Sequence, residues 1–338
     1  MTVTRATLER ASKQLGLSIE GDRALRGIGP RGVPVLISYQ RTRTHRGRAR
    51  YEETTTLNAF MDPALRMGLG IRPRRDATSP TAARAHAGAT LDRLFAIEAL
   101  DRDHAREVLA GDVGAMLDDL ENNLSFVSDE RVVLEAPAHL VSPESLGGML
   151  SAGTAMAAHL VAARRRVPPP AWQRELESGW IAVATQRRLA FDVERLQMQG
   201  ASGRMHAGVR VELGGHAPST RAVGWFPAPL GVALHLRRQR MTDRLAAFLG
   251  EQDVRVGNDR FDDAFVVRGS SPERVRALIT PGVVSTLLAL VDRGLEVEVD
   301  DAYVSAACPG LITDASRVAA MLDGVIGAGM AMTGHVLA

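Results

Sequence analysis

Two stretches of the chain carry the same order of apolar and polar positions. Leu94–Leu120 and Ala264–Leu290 align without a gap: Phe95 falls on Phe265, Ile97 on Val267, Leu109 on Ile279, Leu117 on Leu287 and Leu120 on Leu290, each pair 170 residues apart. Alternating apolar residues predict a strand at Phe95, Ile97 and Ala99 and at its match, followed by core helices over 102–120 and 272–290. Ser271-Pro272-Glu273 supplies a helix cap, a proline at the first helical position and an early acid, and Asp101 holds the cap position in the first stretch. Thr280-Pro281 restarts the helix where the first stretch has Ala110-Gly111-Asp112. A broken pair of short helices is therefore expected at 272–279 and 281–292.

The register continues on both sides. Leu65, Met67, Leu69 and Ile71 match Leu230, Val232, Leu234 and Leu236 at 165 residues, and their alternation predicts strands at Met67–Ile71 and Val232–Leu236. Further back, the run from Gly32 matches the run from Gly208 at 176, and Leu17 is set against Leu189 at 172. Downstream, Leu124 and Asp129 fall on Leu295 and Asp300 at 171, and Met149-Leu150 on Met321-Leu322 at 172. Hairpins are expected at Leu124–Glu135 and Leu295–Val304, turning at Ser128-Asp129-Glu130 and at Asp300-Asp301. Closing helices are expected to start at Ser142-Pro143 and Thr313-Asp314.

Matches spread over so much of the chain predict a tandem duplication, and two copies are too few for a solenoid. Arg164-Arg165-Arg166, then Val167 and three prolines, ends the first copy with charges that suit a helix C-terminus and residues that stop it. The expected domains are 1–167 and 171–338, joined by Pro168–Pro170. Each is read as α+β: a mainly antiparallel sheet, a broken helix pair and a closing C-terminal helix, the two forming a pseudo-twofold pair. The Phe-x-Val strand, the Ala/Leu-rich helix pair and the strands around an Asp turn resemble domains of unknown function in uncharacterised bacterial proteins. That resemblance implies a fold family and transfers no activity or site.

Composition narrows the function classes. With 338 residues, 45% of them hydrophobic, the chain has material for two ordinary cores. Cys308 is the only cysteine, which excludes an intramolecular disulfide and a multi-cysteine zinc site and suits a reducing compartment. No apolar signal segment opens the chain, whose first element is the polar, helical Arg5–Gln14, so a cytoplasmic protein is expected. Val318–Ala338 has the length of a membrane span but contains Asp323 and His335, and its match Leu146–Ala163 is too polar for one. Both are expected to be core helices of a protein that is not integral to a membrane. Net charge is only +2 despite a pI of about 9.1, a weak signal for nucleic acid.

The candidate chemistry is uneven between the copies. Gln40–Glu53 contains Arg41, Arg43, His45, Arg46, Arg48 and Arg50, in an interval where the offsets make the first copy about 11 residues longer. Alternation predicts a hairpin turning near Gly47. Arg41, Arg43, Arg46, Arg48 and Arg50 are the candidate contacts for an anionic partner: an acidic protein, an anionic surface or nucleic acid. No aromatic residue is interleaved before Tyr51, so base stacking lacks support. The competing structural reading is a solvated edge hairpin whose charges block sheet-to-sheet association.

Other motifs are structural in expectation. His104, His139, His159 and His335 form no metal-ligand spacing, and Cys308 before Pro309-Gly310 reads as a small buried thiol in a loop. Asp92/Asp262, Arg106/Arg276 and Asp129/Asp300 recur in both copies. The last pair is expected to serve turns, and Asp92 and Arg106 to join strand to helix. Small-residue stripes at Gly148, Ala152, Ala155 and His159, and at Gly324, Gly327, Ala328 and Ala331, suit close helix packing. No Gly-rich phosphate loop and no nucleophile motif is present, and no cofactor or metal is expected. These features favour a non-enzymatic binding or scaffold protein with a protein partner. The alternatives are an enzyme with an unfamiliar site and a peripheral protein on anionic lipid.

Overall fold

A computed structural model describes residues 4–44, 50–74, 91–120, 122–137, 142–213, 217–239 and 254–334; the side chains of 41–44, 50–52 and 143 are outside that description. The chain divides into two compact units, Met1–Pro170 and Ala171–Ala338. Both are α+β, and each contains one eight-stranded antiparallel sheet.

Unit 1 runs α1 (Arg5–Leu15), β1 (Ser18–Glu20), β2 (Ala24–Ile28), β3 (Pro34–Thr44), β4 (Arg50–Phe60), β5 (Gly70–Pro73), α2 (Leu91–Leu94), β6 (Phe95–Glu98), α3 (Arg102–Val108), α4 (Asp112–Leu120), β7 (Leu124–Ser128), β8 (Arg131–Pro137) and α5 (Pro143–Arg166). Unit 2 runs α6 (Ala171–Arg187), β9 (Ala190–Asp192), β10 (Gln197–Ser202), β11 (Met205–Glu212), β12 (Ser219–Trp225), β13 (His235–Arg238), α7 (Asp259–Ala264), β14 (Phe265–Arg268), α8 (Pro272–Leu278), α9 (Pro281–Asp292), β15 (Glu296–Asp300), β16 (Tyr303–Pro309) and α10 (Ala315–Thr333). The strand order is β1-β2-β3-β4-β8-β7-β5-β6 in one sheet and β9-β10-β11-β12-β16-β15-β13-β14 in the other. Position for position, these are the same order.

Local chemistry accounts for the helix boundaries. Thr4, Asp101, Ser142, Asn258, Ser271, Thr280 and Asp314 each accept a first-turn backbone N–H through the side chain, relieving donors that have no partner within the helix. The break between α8 and α9 at Thr280-Pro281 bends the pair by 75°. Helices α5 and α10 pack across the central strands β4 and β8, and β11, β12 and β16, respectively. Each unit has its own core, with Leu57, Phe95 and Leu134 in one and Trp180, Phe261 and Leu287 in the other.

Pairing registers correct two sequence alignments. Leu25 pairs with Ile37 and Met198 with Val209; setting these two pairs against each other places Ile37 against Val209 at a separation of 172, where the sequence offset was 176. Leu57 and Ala222, their partners on β4 and β12, are 165 apart, so the unit 1 hairpin is seven residues longer than that of unit 2, not eleven. Apolar alternation is similar after a two-residue slip and a further two-residue slip leaves it unchanged, which is why the sequence accepted the wrong offset.

The second correction concerns Asp129. Its carboxylate accepts the N–H groups of Met67, Gly68 and Leu69 at 3.0, 2.7 and 3.1 Å. In unit 2 the carboxylate that does this is Asp301, which accepts from Ala233 and Leu234 at 2.9 and 2.6 Å. Asp300, the residue matched by sequence, instead closes its own turn by accepting from Ala302 and Tyr303, the task Ser128 performs for Glu130. This also explains why Met67–Leu69 and Val232–Leu234 are not strand, although their apolar alternation predicts it: a side-chain carboxylate takes the donors that a neighbouring strand would take. Strands begin only at Gly70 and His235.

Backbone hydrogen bonds around this motif have counterparts in both units. Leu65 donates to the Asp129 carbonyl and Leu230 to that of Asp301; Leu100 donates to Met67 and Ser270 to Val232. Arg66 and Gly231 both adopt positive φ, 55° and 69°, as do Gly68 and Ala233, 64° and 48°. A close approach recurs as well. A Cβ on Gly27 would lie 2.8 Å from the Leu17 side chain, and one on Gly200 would lie 3.0 Å from that of Leu189.

Two helix expectations change. Gly148 is exposed with nothing near it, and the close approach in α5 is at Gly153, where a Cβ would come within 2.7 Å of Leu57. Among the described residues, the helix long and apolar enough to cross a membrane is Glu144–Arg166, of which 44% of the apolar window is buried; its match in unit 2 is not. The charges of α5 sit at its ends, whereas α10 carries Arg317 and Asp323 within its length.

Candidate functional site

The arginine-rich segment lies at the end of the longest hairpin. Strand β3 pairs with β4 from Val35↔Ala59 out to Thr44↔Arg50, which places Arg41 opposite Glu53 and Arg43 opposite Tyr51. Arg41, Arg43 and Arg50 are thus on paired strands, while Arg46, Arg48, His45 and Gly47 lie outside the described residues.

Among the described residues, pairing with the neighbouring strands does not reach this segment. The other edge of β3 pairs with β2 only over Pro34–Ser38, with one more backbone bond from Tyr39 to Arg23, and the other edge of β4 pairs with β8 only over Thr54–Phe60. Gln40–Thr44 and Arg50–Glu53 therefore pair, among the described residues, only with each other: a two-stranded arm. In unit 2, β12 is paired with β16 along its whole length, Ser219–Trp225, and β11 is paired with β10 as far as Arg210. Beneath the arm, Tyr39 and Thr55 face each other across the strands, with both hydroxyls buried and without a hydrogen-bond partner among the described residues. Burial pushes the Tyr39 phenol up to about 12, so it stays protonated.

The sequence reading missed a polar recess of about 330 Å³ on the sheet of unit 2, because its residues come from four strands spread over nearly a hundred positions. Arg221 is its centre. Its Nε lies 3.0 Å from both Glu212 oxygens, and its Nη1 donates to the Ser305 hydroxyl at 3.1 Å and approaches Glu298 at 3.9 Å. Arg210 donates to Glu212 at 2.8 Å, and the Tyr303 hydroxyl donates to Glu298 at 3.3 Å. Trp225 is register-paired with both His206 and Tyr303, forming an aromatic row across three strands beside this network. The only sequence signal was period-two placement, Arg210/Glu212 and Tyr303/Ser305, which resembles any polar strand face.

Electrostatics in the recess is internally balanced. Burial pushes the Glu212 carboxyl up, but hydrogen bonds and charge from Arg221 and Arg210 outweigh that and hold it below the ordinary glutamate range. Burial, then the nearby Glu298 and Asp300 charges, push the Tyr303 phenol up to about 12. Both shifts lead away from neutrality, the opposite of what proton transfer near pH 7 requires. A second recess in unit 2, about 830 Å³, lies at the α8–α9 elbow, with Ile279, Val284 and Leu288 beside Arg260 and Asp292.

The remaining sequence candidates are dispersed. His104 is buried on α3 and its Nε2 has no hydrogen-bond partner among the described residues; burial lowers its pKa, Arg164 lowers it further, and Asp101 and Glu107 oppose them. Cys308 lies in β16 and is half-buried, not a fully buried loop thiol, and Arg317 points to its sulfur at 3.9 Å. The expected loop starts only at Gly310, because Cys308 still pairs with Thr220 and Pro309 with Ser219. Asp92 and Arg106 do pair, at 3.2 Å and half-exposed, but Asp92 is on α2, not on a strand. Asp262 instead accepts from Val256 and Gly257, and Arg276 donates to the Arg255 carbonyl, so these recurring identities make different contacts. His139 and His335 lie outside the described residues. Among the described residues, no group of three or more His, Cys, Asp or Glu is placed to hold a metal ion. Comparison with protein-family models, curated proteins and solved structures finds no match for this chain.

Proposed function

We propose that the chain is a binding protein made from two copies of one α+β unit, and that the arm of unit 1 is its contact for an anionic partner. The duplication is supported by the common strand order, by the Asp129 and Asp301 carboxylates gripping matching backbone segments, and by the repeated left-handed residues around them. An enzyme reading gains nothing from the unit 2 recess, where the shifted groups move away from neutrality.

The arm carries the functional half of the proposal. Two copies that share a frame differ where one has acquired seven extra residues in the β3–β4 hairpin, and that addition is the arginine-rich stretch. A structural strand pair gains nothing from extending beyond both neighbours, since its outer backbone edges lose ladder partners. Replacing Arg43, Arg46 and Arg48 with serine should lower the salt concentration at which the protein elutes from immobilised heparin. The unfolding free energy should stay within about 0.5 kcal/mol. Unchanged elution would leave the solvated-edge role as the function of these charges.

A further inference from the structure

We infer that the polar recess on the sheet of unit 2 binds a neutral pyranose, whose ring stacks on Trp225 and whose hydroxyls accept a hydrogen bond from Arg221 and donate one to Glu298. The site shares no residue with the arm of unit 1. Helix α10 packs on β11, β12 and β16, with Gly224 and Val304 facing its Val325 and Gly329. Side chains alternate along a strand, so Arg221, Val223 and Trp225 on β12, and Tyr303 and Ser305 on β16, line the opposite face. The recess there is about 330 Å³, at the small end of the range of about 300–1,000 Å³ for ligand pockets, and suits one small ring.

Charge selects against an ionic ligand. The lining contains two arginines and two glutamates, and they already neutralise one another: Glu212 is held by Arg221 and Arg210, and Glu298 lies 3.9 Å from Arg221. A charged ligand would give up its hydration without meeting an unpaired opposite charge. What remains is one donor beside one acceptor. Arg221 commits Nε to Glu212 and Nη1 to Ser305, and Glu298 Oε1 accepts from Tyr303. Among the described residues, Arg221 Nη2 and Glu298 Oε2 make no hydrogen bond. The contact with Glu212 fixes the plane of the guanidinium and so aims its free nitrogen. A hydroxyl both donates and accepts, so neighbouring ring hydroxyls satisfy both groups. Half-buried Trp225 adds an aromatic surface for the C–H face of the sugar.

The sheet does not need this network to fold. The strand order in unit 1 is the same, and the pair Leu57–Leu134 can be set against Ala222–Ala306. Thr56, Phe60, Arg131, Val133 and Phe126 then take the places of Arg221, Trp225, Tyr303, Ser305 and Glu298. There the Arg131 guanidinium lies 5.4 Å from the centre of the Phe126 ring and donates to Asn58, and Asn58 and Val133 are buried. One unit covers this face by packing; the other keeps a polar recess on it.

The test titrates the full chain with methyl glucoside, methyl galactoside and methyl mannoside, observed on the sugar by saturation-transfer NMR. With one ring and few contacts, the dissociation constant should be on the order of 1 mM for at least one of the three. Trp225→Ala and Glu298→Ala should each weaken that binding about tenfold, whereas Trp225→Phe, which keeps an aromatic ring, should hold it within about threefold. Circular dichroism melts establish that the variants fold; if Trp225→Ala does not, Glu298→Ala and Trp225→Phe carry the comparison. Cyclohexanol, with the ring and a single hydroxyl, should bind about tenfold more weakly than the sugar. Glucuronate and glucosamine, the charged probes, should bind no more tightly than methyl glucoside. No binding of any neutral sugar, or binding that Glu298→Ala and Trp225→Ala leave unchanged, would overturn the inference. Tighter binding of either charged probe would also overturn it, since the recess would then select an ion.

Discussion

Replacing Asp129 with alanine should be among the most damaging single changes in unit 1, although no catalytic or binding role is assigned to this residue. Its carboxylate accepts three backbone N–H groups, at 2.7 to 3.1 Å, from Met67, Gly68 and Leu69. Met67 and Leu69 are 2% and 4% exposed, so water does not replace the lost acceptor at either, whereas Gly68 is half-exposed. An unsatisfied buried donor costs about 1–3 kcal/mol, so two give about 2–6 kcal/mol. For a unit of this size that corresponds to a fall in melting temperature of roughly 4–24 °C. Asp301→Ala is the internal control: it loses two bonds, one of them to the exposed Ala233, and should cost about 1–3 kcal/mol. Urea unfolding gives the free energies, and amide exchange at 67–69 identifies the affected segment. Equal losses in the two variants, or a loss below about 0.5 kcal/mol for Asp129→Ala, would refute the view that this carboxylate holds the segment.

Two other perturbations have defined signs. His104 is held neutral by burial and by Arg164, with its pKa lowered from 6.5; as pH falls below that value the unfolded chain takes up the proton first, so stability should decline from pH 7.5 to 5.5. Urea midpoints of His104→Gln should show a shallower decline over the same range. Gly148→Ala in α5 should stabilise by about 0.5–1 kcal/mol, since open space surrounds it. Gly179→Ala in α6 should destabilise by about 1–3 kcal/mol, because its Cβ would fall 2.3 Å from the Thr313 carbonyl oxygen, as thermal melts of the two variants would show.

The parts legible in the sequence were those set by local chemistry. Caps at Asp101, Ser142, Ser271, Thr280 and Asp314 mark helix starts because they act within four residues. Phe95 and Phe265 begin β6 and β14 as the apolar pattern implies. What stayed hidden depends on long-range contacts. Asp129 reaches back some sixty residues to take the donors of an apparent strand. The offset of β3 shows only in its pairing with β2, and the Arg221 network assembles from strands that are neighbours in space alone. Within the candidate arm, the sequence located the arginines, while the strand pairing revealed that they extend the β3–β4 hairpin past the described pairings with β2 and β8.

The most direct test exchanges one hairpin for the other. By register, Ser38 corresponds to Arg210 and Thr56 to Arg221, so residues 39–55 can be replaced by residues 211–220. The exchange removes the arm but puts Val211 and Thr220, both buried in unit 2, in place of the buried Tyr39 and Thr55. If the units are copies and the arm is an added contact, the exchanged protein should fold cooperatively with little change in its urea midpoint and lose salt-sensitive polyanion binding. Collapse of unit 1, or polyanion binding that survives the exchange intact, would contradict the account.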